Sequence, residues 1–339
     1  MKRAWTRHLP LILITLSLFA CKSNNGNAGV DGSNPFAKDS TLRSITTKIN
    51  EHPKDATLYF KRGMQLVKTG ADSLALSDFK KAVALDSSKA EYFSAIGDLL
   101  FEHKDLAGSV QWLQKAMARN PNDPKAHLKV AKMMLFMQDY PKAFSEINTV
   151  LRQDVYNPEG YFLKGMIYKD LKDTDKAIAS FQTAINTVPD YRDAIVQVGI
   201  LYSGRRDPMA LKYFDNAFKM DSSDVTPLYA KGMFYQEQKD YKNAILQYKE
   251  CILHDHQFSN AFFNMGWIYL QEDSLDKAWR HFDIVTKTEP NSARAYYNRG
   301  LCSEMLKKKT EAISDYKQAL VFEPKYPEAI DALKRLGAK

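Results

Sequence analysis

The chain is predicted to be all-α, a solenoid of eight helix–turn–helix repeats with a capping helix at either end. Three observations predict it. Within residues 259–292, Phe262, Met265, Gly266 and Tyr269 fall at helical spacing, and Ala278, Phe282 and Val285 do the same after a polar turn. The same pattern recurs in phase: position 8 of successive units reads Gly63, Gly97, Ala131, Gly165, Gly199, Gly232, Gly266 and Gly300, in steps of 34 residues except one of 33. Finally, a lone helix pair of this size cannot bury both apolar faces, so it requires stacked copies.

Two further columns hold the register. Position 20 carries Ala75, Ser109, Ala143, Ala177, Ala210, Ala244, Ala278 and Ala312, and position 24 carries Phe79, Leu113, Ile147, Phe181, Phe214, Tyr248, Phe282 and Tyr316. This pattern resembles the tetratricopeptide repeat family over residues 56–326, divided as 56–89, 90–123, 124–157, 158–191, 192–224, 225–258, 259–292 and 293–326. The resemblance implies a right-handed superhelix whose first helices line a concave surface. Small residues at positions 8 and 20 let paired helices approach, and a larger side chain there overpacks at about 1–3 kcal/mol. Repeat three departs most, with Ala131 for Gly, and repeat five is one residue short in its turn.

Composition agrees with a folded body, at 45% hydrophobic and 26% charged. The net charge is +8, and setting aside Lys2, Arg3 and Arg7 leaves about +5 scattered among acids. That modest excess is a poor argument for nucleic acid or anionic lipid, and no nucleic-acid partner is expected. Cys251 takes an Ala slot on a second helix and Cys302 lies on a first helix of another repeat, so both read as small buried residues too far apart to bridge.

Residues 1–20 read as a targeting segment. Lys2, Arg3 and Arg7 precede an apolar run over 9–20, too short to span a bilayer comfortably. Its end, Leu18-Phe19-Ala20-Cys21, resembles the lipobox of bacterial lipoproteins. That resemblance implies a diacylglyceryl-modified Cys21 as the first mature residue and a lipid-anchored protein of the bacterial cell envelope. With Lys22 rather than Asp next, it implies the outer membrane, facing the periplasm. Residues 21–40 then read as the lipidated cysteine and a flexible tether rich in Asn, Gly and Ser. Residues 41–55 carry Leu42, Ile45 and Ile49 ahead of Pro53, an N-terminal capping helix with Asp39 or Ser40 as N-cap. Residues 327–339 close the stack with a polar-backed helix carrying Ala329, Ile330 and Leu333 on one face.

No phosphate-binding loop, zinc-protease motif, nucleophile elbow or C-x-x-C is present. His254 and His256 lack a third ligand and read as solvated. The reading is a protein that is not an enzyme, with no cofactor, no metal and no small-molecule substrate.

The informative feature lies on the first helices. Position 9 points away from the buried face yet reads Met64, Asp98, Lys132, Met166, Ile200, Met233, Trp267 and Leu301. One turn earlier, position 5 reads Phe60, Ser94, Leu128, Phe162, Val196, Tyr229, Phe263 and Tyr297. Two readings stand: a partner-binding stripe rich in Met and aromatics, or packing between neighbouring first helices. Asn264 and Asn298, at position 6, resemble the asparagines with which peptide-binding members of the family hold a ligand backbone. The expected binding set is therefore Phe60, Met64, Phe162, Met166, Tyr229, Met233, Phe263, Asn264, Trp267, Tyr297 and Asn298, with Cys21 as the lipid site. The expected function is a membrane-anchored adaptor that holds a protein or peptide segment in its groove. The alternative is a homotypic structural lipoprotein.

Overall fold

The computed structural model describes residues 39–338, which form helices, turns and loops and no strand. The lipobox and Cys21 lie outside these residues. Two compact units divide the chain, one ending at Ser87 and the other running from Ser88.

The first unit holds three helices: α1 (Ser40–Glu51), α2 (Ala56–Lys68) and α3 (Asp72–Leu85). Asp39 caps α1, its Oδ1 accepting from the Thr41 and Leu42 N–H groups at 2.7 and 3.2 Å. Its other oxygen accepts from Gln65 Nε2 at 2.8 Å, tying the start of α1 to α2. Leu42 and Ile49 are buried, so α1 covers α2 through one apolar stripe.

The second unit stacks seven helix pairs. They are α4 (Ala90–Glu102) with α5 (Leu106–Met117), α6 (Pro124–Phe136) with α7 (Tyr140–Gln153), α8 (Pro158–Asp170) with α9 (Thr174–Thr187), and α10 (Arg192–Gly204) with α11 (Met209–Met220). Then come α12 (Thr226–Glu237) with α13 (Tyr241–His254), α14 (Ser259–Gln271) with α15 (Leu275–Thr288), and α16 (Ala293–Met305) with α17 (Lys309–Phe322). The closing helix α18 (Pro327–Arg335) buries Ala329, Ala332 and Leu333 against α17 and leaves Asp331, Lys334 and Arg335 exposed.

Within this unit each second helix packs on its own first helix and on the next helix along. Some first helices also touch each other directly, α6 with α8 and α10 with α12, and no two second helices meet to that extent. In a two-layer stack the layer with the closer neighbours lies on the inside of the curve. The first helices are therefore the inner layer of this unit.

The turn between paired helices repeats one device. Position 15 takes a positive φ in every repeat, as Gly70, Lys104, Gln138, Lys172, Arg206, Lys239, Asp273 and Lys307, with φ from 55° to 75°. At Lys104 the N–H bonds the Phe101 carbonyl while Asp105 N–H reaches back to Leu100, which closes the helix end as a Schellman motif. The next residue then caps the second helix: Asp105, Asp139, Asp173 and Asp240 each accept from the backbone N–H three residues on.

The position-8 glycines face the side chain at position 24. A Cβ on Gly63 would sit 2.5 Å from the Phe79 ring, and one on Gly165 would sit 2.6 Å from Phe181. Repeat three instead pairs Ala131 with the ringless Ile147, both fully buried.

Candidate interaction surface

The position-5 aromatic rings are internal wedges. Phe162 lies 5.5 Å from Phe181 on its own second helix and 5.3 Å from Tyr191, just ahead of the next first helix. Tyr229 does the same between Tyr248 and Phe258, and Tyr297 between Tyr316 and Tyr326. Phe263 lies 5.3 Å from Phe282, and in the first unit Phe60 lies 5.7 Å from Phe79. All five are half-buried, each with one face spent on helix packing.

Position 9 is also partly open. Met64, in the first unit, is 43% exposed. In the second unit Met166, Ile200, Met233, Trp267 and Leu301 are half-buried, one per repeat along the inner layer. Trp267 stands edge-on to Tyr241, the first residue of α13, with ring centroids 6.2 Å apart. Tyr241 belongs to a second helix, so the position-9 pattern carried no sign of this contact.

The asparagine amides have internal partners. Asn264 Nδ2 donates to the Tyr229 and Tyr248 hydroxyls, both at 3.1 Å, and Tyr248 donates onward to Gln236 Oε1 at 2.7 Å. Burial pushes both phenols above the ordinary tyrosine value. Asn298 Nδ2 donates to the Arg294 carbonyl one turn back at 2.7 Å. The Arg294 guanidinium lies 4.4 Å from the Phe263 ring centroid and donates to Asn260 Oδ1.

Cys251 and Cys302 are free thiols, buried, with pKa pushed up to about 12 by burial. A thiol that stays protonated at neutral pH is a poor nucleophile. Among the described residues no group of acids, histidines or cysteines could hold a metal ion, and no helix is long and apolar enough to cross a membrane.

Models of the tetratricopeptide repeat match residues 52–124, 158–191, 225–253 and 293–326. The chain belongs to the tetratricopeptide repeat family. Its members are protein-interaction scaffolds, and the repeat is typically non-catalytic. Anaphase-promoting complex subunit 3 of Schizosaccharomyces pombe is 23% identical over 267 residues, which covers 74% of this chain and 39% of that subunit's length. Two solved tetratricopeptide-like structures share the fold. The C-terminal part of a repeat protein from Cytophaga hutchinsonii matches with TM-score 0.55 at 18% identity, over 70% of this chain and 98% of its own. PilW, a type IV pilus biogenesis factor, matches with TM-score 0.52 at 23% identity, over 62% and 98%.

Proposed function

We propose that this tetratricopeptide repeat protein is a membrane-anchored adaptor on the periplasmic side of a bacterial envelope. Its partner, a polypeptide segment, lies against the inner face of repeats four to seven. The observation that carries this reading is the row Met166, Ile200, Met233 and Trp267, one half-open apolar side chain per repeat on the inner layer. Met and Trp there offer adaptable and amphipathic contact area. PilW shares the architecture and serves pilus biogenesis, which agrees with an envelope role for such a stack. The anchor rests on Cys21 and its lipobox. Self-association through the C-terminal end is disfavoured by Asp331 and Lys334, two charges that α18 leaves exposed.

A photoreactive residue in place of Trp267, followed by mass spectrometry of crosslinked partners in cells, tests the groove. Crosslinks that vanish when the same residue is placed at exposed Arg280 of α15 support it, and equal yields from both sites would sink it. Cys21→Ala is expected to abolish lipid labelling and release the protein from membranes.

A further inference from the structure

On the inner layer the charges have a definite sign. At about 100° per residue, position 2 lies roughly 20° from position 9 and position 13 roughly 40° from it, so both flank the apolar row. Position 2 carries Glu159 and Asp193, and position 13 carries Asp170 and Glu237. None of the four forms an ion pair or side-chain hydrogen bond among the described residues. On the helices of repeats four to seven the cation beside this row is Lys169, whose ammonium is bonded to the amide oxygen of Gln197 at 2.7 Å. Lys172 and Arg206, in turns, act on Asp170 and Glu237 through space without pairing with them, and Arg294 of repeat eight is engaged by Phe263 and Asn260. Four carboxylates without an ion pair thus flank the apolar row of a chain whose net charge is +8.

Two of the four are placed against their own helices. Glu159 and Asp193 occupy first turns, where the helix dipole favours a negative charge. Asp170 and Glu237 are the last residues of α8 and α12, where the dipole opposes one. Crowding by protein also pushes both carboxyls above their ordinary values. Lys169, Lys172 and Arg206 offset this only in part, and a cation arriving from outside would relieve both carboxylates further.

We propose that the segment seated on repeats four to seven is cationic and amphipathic. Its Lys or Arg side chains meet Asp170, Glu237, Glu159 and Asp193, while apolar side chains between them lie on Met166, Ile200, Met233 and Trp267. This rests on the adaptor reading and gives its partner a charge.

The test uses the full chain in detergent and three labelled synthetic peptides, followed by fluorescence anisotropy. One peptide alternates Lys with Leu, a second carries Glu for every Lys, and a third carries Ser for every Leu. The Lys–Leu peptide is expected to bind best and to weaken steeply with added salt. D170N with E237Q is expected to cost it about tenfold, and W267A with M233A a comparable amount. Neutralising exposed carboxylates on second helices, D276N with E311Q, is expected to leave binding unchanged and so excludes a bulk charge effect. Equal or tighter binding of the Glu–Leu peptide, or indifference to D170N with E237Q, overturns the proposal. If the Glu–Leu peptide wins and still requires Trp267, the groove stands and only the sign of the partner falls. If no peptide depends on Trp267 or Met233, both readings fall.

Discussion

Arg299 on α16 holds both carboxylate oxygens of Asp315 on α17, Nε to Oδ2 at 3.0 Å and Nη2 to Oδ1 at 2.6 Å. Its remaining nitrogen reaches Asp283 on the preceding α15 at 2.6 Å, so one guanidinium joins three successive helices. In the first unit Arg62 grips Asp78 in the same way, at 2.7 and 2.8 Å, and reaches Thr46 on α1. Both arginines hold position 7 and both aspartates position 23.

Removing one member of such a buried pair leaves the other charge stranded. Arg299→Met is expected to cost about 3 kcal/mol, read as a lower denaturant midpoint. The double variant Arg299→Met with Asp315→Leu is expected to recover most of the loss, because the stranded Asp315 charge is gone and Asp283 keeps Lys287 at 2.7 Å. A double variant as unstable as the single would rule out stranded charge as the cause.

The turns hold removable strain. A non-glycine residue in the left-handed region costs about 1–2 kcal/mol, against roughly 0.5–1 kcal/mol for the extra unfolded-state freedom of glycine. Lys104→Gly, Lys172→Gly and Lys239→Gly are each expected to stabilise by about 0.5–1 kcal/mol, additively in thermal melts. Gly70→Ala is expected to act in the opposite sense, since Gly70 has φ of 75°.

Helix approach is set by complementary sizes. Gly165→Ala drives a methyl into the Phe181 ring and is expected to cost about 1–3 kcal/mol. Adding Phe181→Ile copies the Ala131–Ile147 pair of repeat three and is expected to restore part of that loss. A larger cost in the double variant would show that the repeats do not exchange this pairing.

Two sets of carboxylates predict opposite responses to pH. Burial raises the Asp170 and Glu237 carboxyls, against the nearby lysines and Arg206 respectively, so folding disfavours their ionised forms. D170N with E237Q is expected to raise stability at neutral pH by about 0.3–1 kcal/mol per site. That gain is expected to vanish below about pH 4, where the ordinary carboxyl is protonated in both states. Glu304 has the reverse sign: the Arg335 guanidinium holds its carboxyl below the ordinary value, against the opposing effect of burial. Its stabilisation is present above the usual glutamate value and is lost as pH falls through the depressed one. Glu304→Gln is expected to cost about 1 kcal/mol at neutral pH and nothing in strong acid, read as melting curves across pH.

The helix pairs were legible because burying one stripe per helix imposes a period on the residues that carry it. Gly63 to Gly300 in phase leave the chain little freedom to fold otherwise. The inner stripe was legible only in part. Position 9 names Met166, Met233 and Trp267 by their angle on the helix, but Tyr241, which packs on Trp267, belongs to another helix with its own register. The flanking acids Asp170 and Glu237 share that angle within about 40° and could have been read with it. Their lack of partners could not, because an ion pair depends on which side chains neighbouring repeats bring within reach.

What the sequence by itself determined is the all-helical repeat, its phase, and the pairing of small side chains with large ones, since these follow from periodicity and volume. Only the tertiary structure decided how polar and aromatic groups are spent. Asn264 is committed to two tyrosines, Phe162 and Tyr229 are wedged between repeats, and Lys169 is given an amide instead of a carboxylate. The physical reason is reach: a burial stripe is a property of one helix, whereas a hydrogen bond or ring contact requires atoms from two or three helices within a few ångströms of one another.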